Sequence, residues 1–584
     1  MNTKRMIDVA MGREDADLMI QNARLVNVFT KEIEDVDVSV ADGRIARVAF
    51  CSKRGTHSAK EIVDAKGKYL IPGLIDAHAH VEMSFLSAVH YAEAVLPLGT
   101  TAGIFDTHDI GNVSEECMLW FGREMASTPL KGYITANPCI PSTPALEHAG
   151  INMNLDILKR CAKVEGFVGI GEAMDFTRVI AGDEEMMKML DWSHEQDFHI
   201  DGHCPEIVGD ELQAYAAAGP STDHEFVSRE EALEKYRLGM NVVVRRGSLA
   251  EPYTAKELTD SLPDTRNLLM ATDGCIFLDT IIHKGSMIQA LRMVVGEGVD
   301  PVTAVQMATI NVARAYGLER DIGSVAPGRC ADMVLVDDLT DFGIDSVYVD
   351  GKKMPKPGEL TLPNFEFPES VLDTIRLNPV KPEYFDIKAP VQEGKVKAHV
   401  LDVREDVLIS GDLVTEVEVT DGMVETDTEN DILKIAVLHR YQPESYRTTG
   451  LIHGFGFKKG ALAGSIGQDS QNIAAVGVSS EDIAAAVNAV IDMKGGVVFV
   501  ADGEVKAAVE LRLGGIMNHE KRPEELLADF NRLNAEAQAA GGAFGNPAFP
   551  LSLMVTCACI PDLKITDCAL VDALSASAIP LFAE

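Results

Sequence analysis

Positive charge is what this chain most lacks: 52 Lys and Arg stand against 90 Asp and Glu, a net charge of −38. A surface so poor in cations argues against nucleic-acid and anionic-membrane partners and favours solubility. Long apolar runs are missing too. There is no stretch of about 18 uninterrupted apolar residues, so no membrane span is expected. The opening MNTKRMIDVAMGREDADLMI has no apolar run of signal-peptide length. A disulfide framework is also absent. The 10 cysteines are scattered, and the one close pair, Cys557 and Cys559, lies in the apolar segment LMVTCACI without a second pair beside it. They read as buried free thiols of a reducing compartment, and a cytoplasmic location is expected. Internal repeats and low-complexity tracts do not occur.

What is present is the composition of a globular protein, 46% hydrophobic and 24% charged. At 584 residues one core does not suffice, and roughly two to four structural units are expected. The first 70 residues alternate with period two in VDVSV and RIARVAF around an Asp42-Gly43 turn, which predicts strands of a small β-domain. From Tyr69 short apolar runs alternate with helix-like segments, predicting parallel strands with crossover helices. Eight candidate strands follow: YLIPGLIDAHAH, GTTAGIFD, KGYITANP, GFVGIGEA, DFHIDGH, STDHE, MNVVVRRGS and NLLMATDG. That number of βα units in roughly 250 residues is the size of a closed (β/α)8 barrel. EEALEKYRLG and DPVTAVQMATINVARAYGL read as helices between and after them.

Strand patterns return after the barrel in GSVAPGRCADMVLVDDL and FGIDSVYVDGKKM, so the early β-domain, a small β-sandwich, is completed by the later segment. The expected division is 1–70 with 320–357 for that sandwich, 71–319 for the barrel and 365–584 for a C-terminal α/β domain. The Pro-rich KPGELTLPNFEFPES marks the last boundary.

Polar residues gather at the C-terminal ends of the predicted barrel strands, where this fold collects catalytic groups. Strand one ends in His78-x-His80, strand four in Glu172, strand five in His203, strand six in His224 and strand eight in Asp273. Residues i and i+2 of an extended strand face one side, so both imidazoles of the first pair can reach one ion. Four imidazoles with one or two carboxylates can hold two divalent metals, which lower the pKa of bound water. Each element alone is weak, since a lone HxH is more often two surface histidines and a carboxylate after a strand more often a helix cap. Their order on successive strands makes the joint reading a metal site. His57, His90, His148, His194, His199, His283, His399, His439 and His519 lack such placement and read as structural or solvated. His453, in GLIHGFG, either reaches the barrel mouth or orders a turn.

PGLIDAHAH, the strand-eight Asp273 and GSVAPGRCADMVLVD resemble the amidohydrolase superfamily over residues 1 to about 355. Longer segments resemble the bacterial adenine deaminase family, which has its own extra C-terminal domain. They include GTTAGIFDTHDIGNV, PCIPSTPALEHAGI and STDHEFVSREEALEKYRLGMNVVVRRGS, and in the last unit GLIHGFGFKKGALAGSIGQDSQNIAAVGV and PDLKITDCALVD. The resemblance implies two divalent ions, Mn or Fe with Zn as an alternative, and places Glu172 where other superfamily members carry a modified lysine. It implies hydrolytic deamination of adenine to hypoxanthine and ammonia in purine salvage or catabolism, with metal-bound hydroxide attacking C6. Asp273 would take the proton of the nucleophilic water and pass it to the leaving amine, and Glu172 or a neighbouring acid would protonate the ring. The substrate is a small molecule, and a homo-oligomer is expected, although no residue pattern sets a subunit number.

Departures from the family pattern gather at pocket positions. The family's TDD reads Thr272-Asp273-Gly274, followed by an apolar CIFLDT; REGS reads Arg245-Arg246-Gly247-Ser248; AHDSHN carries Gln468 and Gln471; a DPHE-like motif reads Asp106-Thr107-His108-Asp109. Glu82, His108, Asp109 and Arg246 are the candidate substrate contacts. An arginine in place of an acid would suit an anionic substrate; the alternative is that Arg246 points outward into an ion pair. Two readings therefore stand beside adenine deamination: a related amidohydrolase acting on another nitrogen heterocycle or an anionic cyclic amide or amidine, and a non-catalytic binding relative. The complete donor set argues against the second.

Overall fold

The computed structural model describes residues 2–50, 57–248, 251–404, 407–444, 446–560 and 562–583. Before the barrel, Ala16–Val26, Ile33–Ala41, Arg44–Phe50 and Tyr69–Pro72 form strands, and after it Met333–Val336, Ile344–Val349 and Lys352–Lys353 join them. With Ala59–Asp64 paired parallel to the first strand they hydrogen-bond as one eight-stranded sheet. Alternation explains its core: Val36, Val38 and Val40 project from one side of their strand and meet Leu18, Ile20, Leu70, Leu335 and Tyr348. The expected sandwich is thus a single sheet folded over its own core. Ile45 N–H to the Arg329 carbonyl and Ala331 N–H to the Gly43 carbonyl, both 2.9 Å, tie the Asp42-Gly43 hairpin to the post-barrel segment.

YLIPGLIDAHAH does not run as one strand. Tyr69–Pro72 belongs to the small sheet and Leu74–Ala79 opens the barrel. Gly73 is the break, where a Cβ would stand 2.1 Å from Thr101 Oγ1, so no side chain fits. The barrel strands are Leu74–Ala79, Thr100–Asp106, Lys131–Ala136, Phe167–Ala173 and His199–Gly202 in one parallel run, then Thr222–Asp223, Asn241–Arg245 and Leu268–Ala271 in another. Hydrogen bonds of 3.0 Å cross both seams, Ser221 N–H to the Ile200 carbonyl and Asp273 N–H to the His78 carbonyl. Ile75, Ala77, Ala102, Ile104, Val243, Leu269 and Ala271 pack together inside the curl. Asp300 caps Pro301–Met307, as the Asp-Pro signal predicts, but the helix stops there and resumes as Ile310–Ala315. Asn311 is held on the carbonyls of Thr265 and Leu268.

The C-terminal unit is richer in strand than its sequence suggests. A nine-stranded, mostly antiparallel sheet carries helix Ser480–Asp492 over one apolar layer and helix Pro523–Ala539 elsewhere. Its other contacts merge with the barrel's outer layer: one apolar cluster contains Phe105 and Ile110 together with Ile435, Phe455 and Leu551. Phe85 N–H and carbonyl lie in the segment paired with Asn518, where Asn518 N–H donates to the Phe85 carbonyl at 2.8 Å. The nine cysteines among the described residues are free, and Cys51 lies outside them. Among the described residues no helix is long and apolar enough to cross a membrane.

Candidate metal centre

The strand ends converge on Glu172. Its Oε1 lies 3.0 Å from His203 Nδ1, 3.0 Å from His224 Nε2 and 3.7 Å from His78 Nε2. Its Oε2 lies 3.5 Å from His108 Nδ1 and 3.8 Å from His80 Nε2. Asp273 Oδ1 faces His80 Nε2 at 3.4 Å, His78 Nε2 at 3.5 Å and His224 Nε2 at 3.9 Å. Register slips between Asp76 and Ala79 in the first strand, and His78 and His80 leave it with their Nε2 atoms 3.3 Å apart. Beside a group of His203, His224 and Glu225, two donor groups result, His78, His224, Asp273 and Glu172 in one and His80, His108 and Glu172 in the other. Glu172 is common to both. His108, a candidate substrate contact by sequence, therefore stands in the donor cluster.

The atoms suit a cation better than they suit each other. His78 Nδ1 lies 2.7 Å from Asp201 Oδ2, so that nitrogen carries the proton and Nε2 turns a lone pair inward, the usual support of a ligating imidazole. His80 and His224 turn Nε2, and His108 turns Nδ1, toward the two carboxylates, while their other ring nitrogens are buried without a hydrogen-bond partner. Burial opposes charge on His78, yet Asp201 and Glu172 outweigh it and hold its pKa up at about 9. Burial is likewise overcome at His108, by Asp469 and Glu172, to about 10. Glu172 is held well below the carboxylate range, against burial, by His108, His203 and His224. The pocket thus demands positive charge at its centre, and nitrogen and oxygen donors around two buried carboxylates fit divalent transition metals.

Asp273 has a second partner that sequence reading missed. Arg245 Nη1 donates to Asp273 Oδ2 at 2.8 Å and also pairs with Glu225 and, through Nε at 3.1 Å, with Glu251. Val243 faces the barrel interior, so Arg245 two residues on does too, and Arg246 is on the other side. Arg246 accordingly does not reach the cluster. It is 3% exposed, its Nε lies 2.5 Å from Glu297 Oε1, and its Nη2 donates to the Tyr253 carbonyl. Arg246 is found in a buried ion pair with Glu297, away from the donor cluster. Asp201 and Asp106 were also missed. Asp106 Oδ2 accepts the Glu172 N–H at 2.9 Å. Both could have been found by alternation, Asp201 two residues before His203 and Asp106 two after Ile104. His453 pairs with Asp402 at 2.7 Å.

Beside the cluster a small cavity has Met83, Phe85 and Phe549 as apolar walls and Glu82, Asp109, Gln468 and Gln471 as polar ones. Asp109 Oδ1 accepts from Gln468 Nε2 at 3.0 Å and from Gln471 Nε2. These two glutamines and Asp109, all departures from the family motifs, thus form one hydrogen-bonded unit. Glu82 Oε1 accepts the Ile110 N–H at 3.2 Å, while its Oε2 and Gln468 Oε1 have no partner. Burial, then the charge of Asp109, push the Glu82 carboxyl up to about 8. Gly274 closes the edge in the left-handed region (φ 63°), with its virtual Cβ 2.9 Å from the His80 carbonyl, so the aspartate of the family motif would crowd a metal-facing histidine.

Residues 69–354 match the model of the amidohydrolase family, and residues 408–577 match that of the adenine deaminase C-terminal domain. An adenine deaminase of Mesorhizobium japonicum is 35% identical over 99% of this chain and 96% of its own. An adenine deaminase of Archaeoglobus fulgidus is 36% identical over 97% of this chain and 96% of its own. Among solved structures, an adenosine deaminase from Xanthomonas campestris with bound zinc covers 60% of this chain and 95% of its own at 17% identity and a TM-score of 0.45. That likeness is too distant to support an inference.

Proposed function

The chain belongs to the adenine deaminase family, and from that premise we propose that it hydrolyses adenine to hypoxanthine and ammonia. The observation that carries this reading is the complete donor set, His78, His80, His203, His224, Glu172 and Asp273, gathered at one barrel mouth. These residues would hold two divalent ions; the donor types suit Mn, Fe or Zn, and the family resemblance favours Mn or Fe. Bound there, such ions supply hydroxide near neutral pH.

Arg245 fixes Asp273 by Oδ2, which leaves Oδ1 to take the proton of the attacking water and return it to the departing amine. Glu82, not Glu172, supplies the ring proton. Glu172 is kept ionised by the surrounding imidazoles, whereas burial and Asp109 push the Glu82 carboxyl up to about 8 and its Oε2 is without a partner at the cavity. Gln468 Oε1 is an open acceptor for an N–H of the base, and Met83, Phe85 and Phe549 offer apolar surface for a flat ring. No uncompensated cation faces this cavity among the described residues, because Arg246 is turned to Glu297 and Arg245 is surrounded by three carboxylates. That supports a neutral purine over the anionic amide.

In this scheme the barrel, residues 71–319, supplies the chemistry and the C-terminal domain, residues 365–584, part of the recognition. A cytoplasmic place in purine salvage or catabolism goes with the substrate. Purified protein reconstituted with Mn2+ should release ammonia from adenine with the ultraviolet change to hypoxanthine. Absence of turnover, with metal bound and the fold intact, would overturn the adenine assignment.

A further inference from the structure

Behind the glutamine wall lies a group of donors that deamination does not use. Cys557 and Cys559 place their sulfurs 3.2 Å apart. Asp469 faces both, with Oδ1 3.3 Å from Cys557 Sγ and Oδ2 3.4 Å from Cys559 Sγ. Cys557 is 2% and Asp469 5% exposed, and Cys559 is half-buried, so the group lies at the edge of the interior. Its edges are close to those of one face of a tetrahedral metal site. Sulfur–metal bonds of about 2.3 Å set sulfurs about 3.7 Å apart, so the pair would open by roughly 0.5 Å to admit an ion.

The surroundings are short of positive charge. Ser142 Oγ lies 2.6 Å from Asp469 Oδ2 and 2.8 Å from Glu147 Oε1, yet its single proton can serve only one of these carboxylates. Glu147 is 2% exposed, and its Oε2 has no partner. Asp469 also feels the buried His108, and the buried Lys564 donates to the Met554 carbonyl at 2.6 Å and feels the charge of both cysteines. Burial and the charge of Asp469 hold both thiols in the neutral form, their S–H groups turned to the carboxylate; a thiophilic divalent ion would take the place of those protons, as metal binding to cysteine does.

We propose that Cys557, Cys559 and Asp469 form a second metal site, distinct from the histidine cluster and selective for a thiophilic divalent ion of the Zn2+ class. Thiolates prefer such ions to the harder Mn2+. The site would brace the substrate wall. Asp469 lies between the two glutamines that reach Asp109, and Gln468 N–H donates to the carbonyl of Ser552, a cavity residue five positions before Cys557. An ion on the cysteines would pin these two segments together. The proposal does not depend on the identity of the substrate.

Cobalt substitution tests it in a Cys568→Ser background, which removes the sulfur of the separate His148, Asp567 and Cys568 group; the donors of the histidine cluster include no sulfur. That protein loaded with Co2+ should show a sulfur-to-cobalt charge-transfer band, and elemental analysis should find one more metal equivalent per chain in it than after Cys557→Ser/Cys559→Ser is added. The milder Cys559→Ser should weaken the band if the double variant folds poorly. Cobalt-loaded Cys568→Ser protein without the band would overturn the site, as would a folded double variant with undiminished metal content. A purified chain two hydrogens lighter than its sequence, with the loss mapped to Cys557 and Cys559, would also overturn it, because the pair would then be a disulfide.

Discussion

The site has two walls built differently, the donor cluster and the far side of the cavity beside it. On the barrel side, His78, His80, Glu172, His203, His224 and Asp273 stand at strand ends, each placed by the backbone that carries it. On the other side, Gln468 and Gln471 arrive from a loop 359 and 362 residues from the Asp109 they contact. The first wall matches the family motifs residue for residue, while the second departs from them at three positions that touch one another. Chemistry is constrained by donor geometry around an ion, which tolerates no change of ligand type. A recognition surface need only offer complementary hydrogen bonds, and Asp109 paired with two amides is one self-consistent way of doing so. The departures at Asp109, Gln468 and Gln471 therefore amount to one coordinated change.

That contrast can be broken most forcibly at the barrel wall. Chelation should abolish turnover, and Mn2+ should restore it; activity that survives complete metal removal would refute the reading of the cluster. Asp273→Asn should lower kcat by about 10³–10⁴-fold, since it removes the proton acceptor, while elemental analysis of the same sample shows whether metal stays bound. Glu82→Gln comes next, with kcat down by about 10²-fold and little change in KM. An unchanged kcat would return the acid role to another group. The smallest effect on catalysis is expected at Arg246→Glu. Setting a second carboxylate against Glu297 should cost about 3 kcal/mol of stability, read from denaturant unfolding, with substrate preference unchanged. A shift toward or away from anionic substrates would put Arg246 back in the cavity.

Strand alternation made the first wall readable from the sequence, because period two fixes which residues reach a barrel interior. The same rule, carried through Val243, points to Arg245 as the arginine that reaches Asp273. Gly73 shows another limit. A single apolar run, YLIPGLIDAHAH, serves two sheets, and only the approach of Thr101 shows why the chain must break there. The C-terminal unit was legible as strands and helices, but the pairing of Gln468 and Gln471 with Asp109 was not. No local periodicity encodes a contact between two loops so far apart in the chain.

The division of labour between the walls is tested most directly by Gln468→Ala, which leaves Gln471 on Asp109. Steady-state kinetics with adenine and elemental analysis would be run on the same preparation. KM should rise by about 10-fold, the worth of one or two hydrogen bonds, with kcat and metal content unchanged. A fall in kcat at constant KM, or loss of metal, would contradict the separation of recognition from chemistry.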